Sequence, residues 1–526
     1  MNFGENIIGF SGSGCGTDVI RSVDPTTGNQ SGDFFVATQA EVDQAGQKAS
    51  EAFQVYRKKT GLEKARFLEA IADEIIAIGD ELIIVCSRES GLPGGRITGE
   101  RGRTTGQLRM FAALLKEGSW LGARIETADP GRLPLPKPDI RSMQIALGPV
   151  VVFGASNFPL AFSVAGGDTS SALAAGCSVI VKAHPAHPET SWLIGRAIQK
   201  AAKSTDMPDG VFSLLFGDGP VLGGQLVQQP EVKAIAFTGS FAAGKAIFDL
   251  AARRPIPIPV YAEMGSTNPV FILPEALKHQ ADHLAKGFSA SVTLGVGQFC
   301  TNPGLLIYED DESAVVFLDH LASEFSQTSG GVMLTSNIYD AYTRGVESRT
   351  GLHGVELFTR GAATDHKNTA EPMLFKISGE TFEAQPELAE EVFGPTSVAV
   401  EAKSKEELLN IARGLSGNLT ATVHGTPVDL EEYKLLLEIL EQKVGRILIN
   451  GYPTGVEVCS AMVHGGPYPA TTDSRSTSVG TAAIERFTRP VCYQNMPDAL
   501  LPEALKDANP LHIWRLINGS QSKEII

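Results

Sequence analysis

The sequence predicts a doubly wound α/β protein, and three features of residues 150–262 predict it. Short apolar runs recur at Val150–Phe153, Ser178–Lys182, Val211–Phe216, Ala234–Phe237 and Pro259–Ala262. Stretches of helical length separate them, at Ser163–Ala175, Trp192–Ser204, Val221–Gln228 and Ala242–Ala252. Glycines then collect where strands hand over to helices, in GDGPVLG at 217–223 and GSFAAGK at 239–245. Runs without a polar face belong to strands covered on both sides, as in a parallel sheet between helices.

Upstream, residues 40–87 read as two helices. Glu41–Tyr56 mixes charged and apolar residues at helical spacing, and Leu62–Cys86 repeats the pattern through Phe67, Ile71, Ile75 and Leu82. After the GLPGG break at 91–95 a third helix is expected over Gly99–Gly118. Leu133–Pro138 is a proline-punctuated crossing, and Ile140–Leu147 alternates as an exposed strand does. A second α/β stretch follows, with a helix at 280–294, a strand at 304–308, a helix at 312–326 and further elements to Asn450. Ala483–Asn495 reads as a lone strand without a nearby partner, so pairing across a subunit boundary is expected. These elements divide into a cofactor-binding domain (1–265, with 133–147 bridging to an oligomerisation element), a catalytic domain (266–466) and a C-terminal segment (467–526, oligomerisation strand near 484–495).

At 526 residues the chain is too long for one core. Its 43% hydrophobic and 20% charged residues are those of a folded enzyme. A net charge of -16 without any Lys/Arg run argues against nucleic acid as a partner. Six scattered cysteines, none in a C-x-x-C pair, predict free thiols, a reducing cytoplasmic setting and no metal framework. The opening MNFGENIIGF lacks the features of a signal peptide. Ile145–Gly167 carries no charge before Asp168, but Pro149, Gly154, Ser156, Asn157 and Pro159 interrupt it, so a buried strand entering a loop fits better than a membrane span.

Three phosphate-loop patterns fail. GSGCG at 12–16 lacks its last glycine and is read as a loop, and GDGPVLG has its last glycine misplaced. GSFAAGK resembles a Walker loop, but Ala246 has no hydroxyl for Mg²⁺. The last two still stand at strand C-termini, where open α/β sheets bind nucleotides.

Six segments in order resemble the aldehyde dehydrogenase family over nearly the whole chain: ASNFP at 155–159, VKAHP at 181–185, FTGS at 237–240, EMGSTNP at 263–269, GQFC at 297–300 and EEVFGP at 390–395. The resemblance implies that Cys300 is the nucleophile. An aldehyde cannot expel hydride until a nucleophile has made its carbon tetrahedral, and the resulting thioester must then be hydrolysed. Asn157, with the Cys300 N–H, matches the oxyanion donors. Glu263 matches the base for hydrolysis, and an apolar pocket would raise its pKa for that task. A lone cysteine is ordinarily a core residue, and Cys15, Cys86, Cys177, Cys459 and Cys492 are so read.

The same resemblance assigns the cofactor's contacts. Lys182 matches the residue on the adenosine ribose, Gly239 and Ser240 open the helix facing the pyrophosphate, and Gly219 and Gly223 line the adenine side, with Phe153 and Ser156 nearby. Glu391 matches the carboxylate on the nicotinamide ribose, and Phe393 packs near the ring. Pro185 stands where NAD-preferring members often carry a glutamate, so NADP is expected ahead of NAD. Within the family, the wording around 154–187 and GQFCTNPG is most like the 2,5-dioxopentanoate dehydrogenases, with NADP-dependent fatty aldehyde dehydrogenases as the alternative. A dicarboxylic semialdehyde requires a cation in its tunnel. Arg103 is expected there, Arg109 second, with Phe158, Phe162, Phe299 and Thr301 as walls. A silent binding protein of this fold and an acylating enzyme using coenzyme A are the other readings, and the joint presence of Cys300, Glu263 and Asn157 disfavours both. A homodimer or homotetramer is expected.

Overall fold

The computed structural model describes residues 3–364 and 367–526 and carries side chains. The apolar runs form one seven-stranded sheet, in the order 260–263, 234–238, 150–153, 179–182, 212–215, 6–8, 11–13. The five strands from 260–263 to 212–215 are parallel, and an N-terminal hairpin, unforeseen in the sequence, adds the antiparallel edge at the other side. Part of the segment read as a plain loop, Ser11–Ser13, is the outer strand of that hairpin. Helices over 167–175 and 188–204 pack on one face of the sheet, and 39–56, 220–228 and 241–252 on the other. The GDGPVLG and GSFAAGK segments therefore link parallel strands to helices that begin at Pro220 and Phe241.

A second seven-stranded sheet runs 356–360, 373–378, 396–402, 305–309, 270–272, 418–424, 444–449, all parallel except the first. The chain re-enters the first sheet's neighbourhood after residue 460, where Thr471 bridges to Glu263. This return carries residues 464–478 back against the catalytic strand end.

Four expectations need correction. Of the cysteines read as core residues, Cys86 and Cys177 are buried, but Cys15, Cys459 and Cys492 are exposed. The pattern over 62–86 is two helices, Gly61–Ala77 and Asp80–Ser90, because Gly79 at φ 72° breaks the ladder. The third helix starts five residues early, at Gly94, with Pro93 as its cap, so the GLPGG break opens this helix. The terminal strand is not lone. Thr488–Gln494 pairs antiparallel with Ile140–Ala146 of the same chain, in a five-stranded sheet that also holds 124–126, 515–517 and 520–522. A long-range pairing of this kind, some 350 residues apart, leaves no local signature. Among the described residues no helix is long and apolar enough to cross a membrane.

Candidate active site

The loop before Cys300 is held in a shape that few sequences tolerate. Gly295, Val296 and Gly297 all have φ between 56° and 64°, a strained conformation for the β-branched Val296. A Cβ on Gly297 would lie 2.3 Å from the Gly394 carbonyl, so glycine lets this loop lie against the loop carrying Glu391. Asn268 donates to the carbonyls of Cys300 at 2.9 Å and Asn302 at 3.0 Å, and Asn418 in turn accepts from the Thr267 and Asn268 N–H groups. The cysteine is thus clamped by the EMGSTNP segment.

Three donor atoms meet there. Glu263, the last residue of its strand, is buried, with Oε1 3.0 Å from His464 Nε2 and Oε2 accepting from Ser478 Oγ at 2.8 Å. The same His464 nitrogen lies 3.4 Å from Cys300 Sγ. His464 is 1% exposed and was not identified from sequence. Its only local hint is a histidine followed by two glycines, HGGP at 464–467. Asn157 faces the same loop, its Nδ2 donating to Gln298 O at 3.1 Å. A second amide hydrogen remains, and the Cys300 N–H meets no acceptor among the described residues.

Burial, the Glu263 carboxylate and its hydrogen bond hold the Cys300 thiol well above the ordinary value, with Arg103 pulling the other way. Glu263 departs from expectation. Burial pushes its pKa up, but His464, Ser478 and Cys300 together bring it below 4.5. An apolar pocket was expected, and a hydrogen-bonding one is found. At neutral pH the resting pair is therefore carboxylate and thiol. Alkylation of Cys300 by iodoacetamide, followed by peptide mass spectrometry, should still accelerate above pH 9, where an ordinary thiol levels off near its pKa of about 8.5.

The passage to Cys300 is aromatic. Phe158 packs against Phe162 and Phe299, with centroids 5.4 and 5.3 Å away, and Phe162 reaches the His464 ring. The helix Gly94–Glu117 places Arg96, Glu100 and Arg103 on one face. Arg96 lies between Phe158 and Phe299, 4.7 and 4.6 Å from their centroids, and donates to Asn157 O at 3.0 Å. Sequence reading missed it, though it stands two turns before Arg103. Glu100 accepts from the Leu160 and Ala161 N–H groups, tying the helix to the loop after Asn157. Arg103 stacks 5.2 Å from Phe162, and its Nε and Nη2 are buried without a hydrogen-bond partner among the described residues. Arg109 does not belong here: it pairs with Asp73 at 2.8 Å, largely exposed. Thr301 is buried.

A nucleotide fits the other end. Lys182 is 5% exposed at its strand's end, its ammonium makes no hydrogen bond among the described residues, and burial pushes its pKa down to about 8. An anion or ribose hydroxyl would satisfy it. A Cβ on Gly219 would meet nothing within 4 Å, while Gly223 lies against buried Phe153. Gly239 precedes Ser240, which caps the helix beginning at Phe241. Ser156 and Phe393 are half-buried. Glu391 sits against Gly265, where a Cβ would approach its Oε2 to 2.6 Å, and burial raises its pKa to about 8.

The sequence profile of the aldehyde dehydrogenase family matches residues 13–490. The chain is 51% identical to alpha-ketoglutaric semialdehyde dehydrogenase 2 of Azospirillum brasilense, over 98% of this chain and 99% of that one. It is 46% identical to alpha-ketoglutaric semialdehyde dehydrogenase of Acinetobacter baylyi, over 98% of each. Among solved structures, aldehyde dehydrogenase C of Pseudomonas syringae, in complex with NAD⁺ and octanal, superposes with a TM-score of 0.80 at 21% identity, covering 94% of this chain and 98% of that one.

Proposed function

The chain belongs to the aldehyde dehydrogenase family, and we propose that its substrate is 2,5-dioxopentanoate (α-ketoglutaric semialdehyde), oxidised to 2-oxoglutarate. Its activity is NAD(P)-dependent oxidation of an aldehyde to a carboxylate. The observation that carries the substrate reading is Arg103, a guanidinium with unpartnered donors among the phenylalanines beside Cys300. The names of the two full-length relatives agree with it.

Cys300 Sγ attacks the aldehyde carbon as the thiolate, its proton having passed to solvent water, so that Glu263 stays a carboxylate for the later step. Asn157 Nδ2 and the Cys300 N–H receive the developing oxyanion. A nicotinamide cofactor, when bound, supplies the hydride acceptor. Glu263 then takes a proton from the water that cleaves the thioester. His464 Nε2 touches both acidic atoms, so its single hydrogen steadies whichever is anionic. This is not a relay of the serine-protease kind, where the two partners use opposite ring nitrogens.

A charge-assisted pair at Arg103 contributes about 1.5–3 kcal/mol, or about ten- to a hundredfold in selection. Arg103→Ala should raise KM for 2,5-dioxopentanoate by that factor and leave a neutral aldehyde such as hexanal nearly unchanged. The same kcat/KM comparison extended to succinic semialdehyde and a long-chain aldehyde tests the substrate. Preference for the long chain would replace this reading with the fatty aldehyde one.

For the cofactor, NADP is preferred because Pro185 offers no carboxylate to repel a 2′-phosphate and Lys182 is free to pair with one. Lys182→Ala should cut kcat/KM with NADP by about ten- to a hundredfold and with NAD by less. Equal losses would move the phosphate contact elsewhere.

Domain roles follow the sheets, with 1–265 holding cofactor and 266–466 carrying the nucleophile. The enzyme works in a reducing cytoplasm as a homodimer or homotetramer. The free side of strand Thr488–Gln494, an open hydrogen-bonding edge, supports that assembly.

A further inference from the structure

We propose that Cys300, His464 and Glu263 also form a binding site for a thiophilic divalent cation, with Zn²⁺ the fitting ion, whose binding excludes the aldehyde and halts turnover. The effect on turnover rests on Cys300 being the nucleophile; the binding does not.

The donors are one sulfur, one imidazole nitrogen and one carboxylate oxygen, and all three lie within 4.8 Å of one another. A tetrahedral zinc with bonds of about 2.0–2.3 Å needs sulfur and nitrogen about 3.6 Å apart, and nitrogen and oxygen about 3.4 Å apart. The observed separations are 3.4 Å for Cys300 Sγ to His464 Nε2 and 3.0 Å for His464 Nε2 to Glu263 Oε1. Opening each by a few tenths of an ångström, with the sulfur and the carboxylate oxygen, which lie within 4.8 Å, brought to about 3.5 Å, admits the ion. Without it, one ring hydrogen serves two acidic atoms. With it, all three lone pairs have a common acceptor, and the ring proton moves from Nε2 to Nδ1, which has no partner among the described residues.

Charge and support agree. Thiolate and carboxylate together neutralise a dication, which a buried site requires; the thiol proton leaves to solvent. Ser478 Oγ fixes the far oxygen of Glu263, and Asn268 fixes the Cys300 carbonyl, so two ligands are already oriented. Sulfur and imidazole select zinc, cobalt or cadmium over magnesium and calcium, which demand oxygen sets. Three protein ligands leave the fourth position open. Spacing within the chain hides the site, because its donors are at 263, 300 and 464 and no short motif contains two of them.

The test uses the chelator-treated full chain titrated with Co²⁺, then Zn²⁺, followed by absorption spectroscopy and calorimetry. The expected result is one tightly bound ion per chain, with tetrahedral cobalt bands and thiolate charge transfer. Zn²⁺ should displace the cobalt, and dehydrogenase activity should fall in parallel and return with chelator. Cys300→Ser, which changes one atom and should keep the fold, must abolish the charge-transfer band. His464→Asn and Glu263→Gln, checked by circular dichroism, should each lose the tetrahedral spectrum. Co²⁺ spectra that survive Cys300→Ser, or absence of a tetrahedral site in the wild-type chain, would overturn the proposal, whichever aldehyde proves to be the substrate.

Discussion

Cys300→Ala is expected to lose dehydrogenase turnover by about 10⁴-fold or more, while its fold and nicotinamide affinity stay intact. The thiol makes the only bond that converts a flat aldehyde carbon into one able to release hydride. Its surroundings are built from other residues: Asn268 grips the main-chain carbonyl, and Gly297 packs against Gly394 through backbone. Removing one sulfur therefore leaves the loop's supports in place. Steady-state rates, thermal unfolding and calorimetric titration with the cofactor check all three parts. A folded Cys300→Ala enzyme with near-normal rates would remove the thioester from the mechanism.

Glu263→Gln should separate the two halves of the reaction. Hydride departure precedes the water step, so a burst of reduced cofactor close to one per active site is expected, followed by turnover slowed by about 10²–10⁴-fold. Glutamine keeps the hydrogen bonds to His464 and Ser478 in outline but cannot accept a proton from water. Because Glu263 is held below 4.5 when paired, it stays a base down to mildly acidic pH. Wild-type deacylation should therefore show no acid limb from this group near neutrality. A loss of the burst together with the steady state would mean that Glu263 is needed before hydride transfer, as sole acceptor of the Cys300 proton.

Much of this was legible in the sequence because it is written locally. The strands 150–153, 179–182 and 234–238 are apolar on both faces, and that alone places them in the middle of a parallel sheet. Asn157, Glu263 and Cys300 stand inside short motifs whose chemistry can be argued residue by residue. What escaped is what depends on distant partners. His464 reaches the nucleophile only because the chain returns after residue 460, and His464 foremost, with Ser478 on the same return, turns an expected rise in the Glu263 pKa into a fall. Arg96 was overlooked since a charged residue beside a GLPGG break reads as surface, whereas two phenylalanines from other segments enclose it. Arg109 erred the other way, lying on the same helix but turned toward Asp73 and solvent.

The thioester on Cys300 is most directly tested by mass spectrometry of Glu263→Gln enzyme, acid-quenched within the burst after mixing with NADP and 2,5-dioxopentanoate. The account predicts one acyl adduct per active site, localised to the peptide containing Cys300 and absent from a Cys300→Ser, Glu263→Gln double variant. A full burst of reduced cofactor with no adduct on that peptide, or with the adduct on another cysteine, would contradict it.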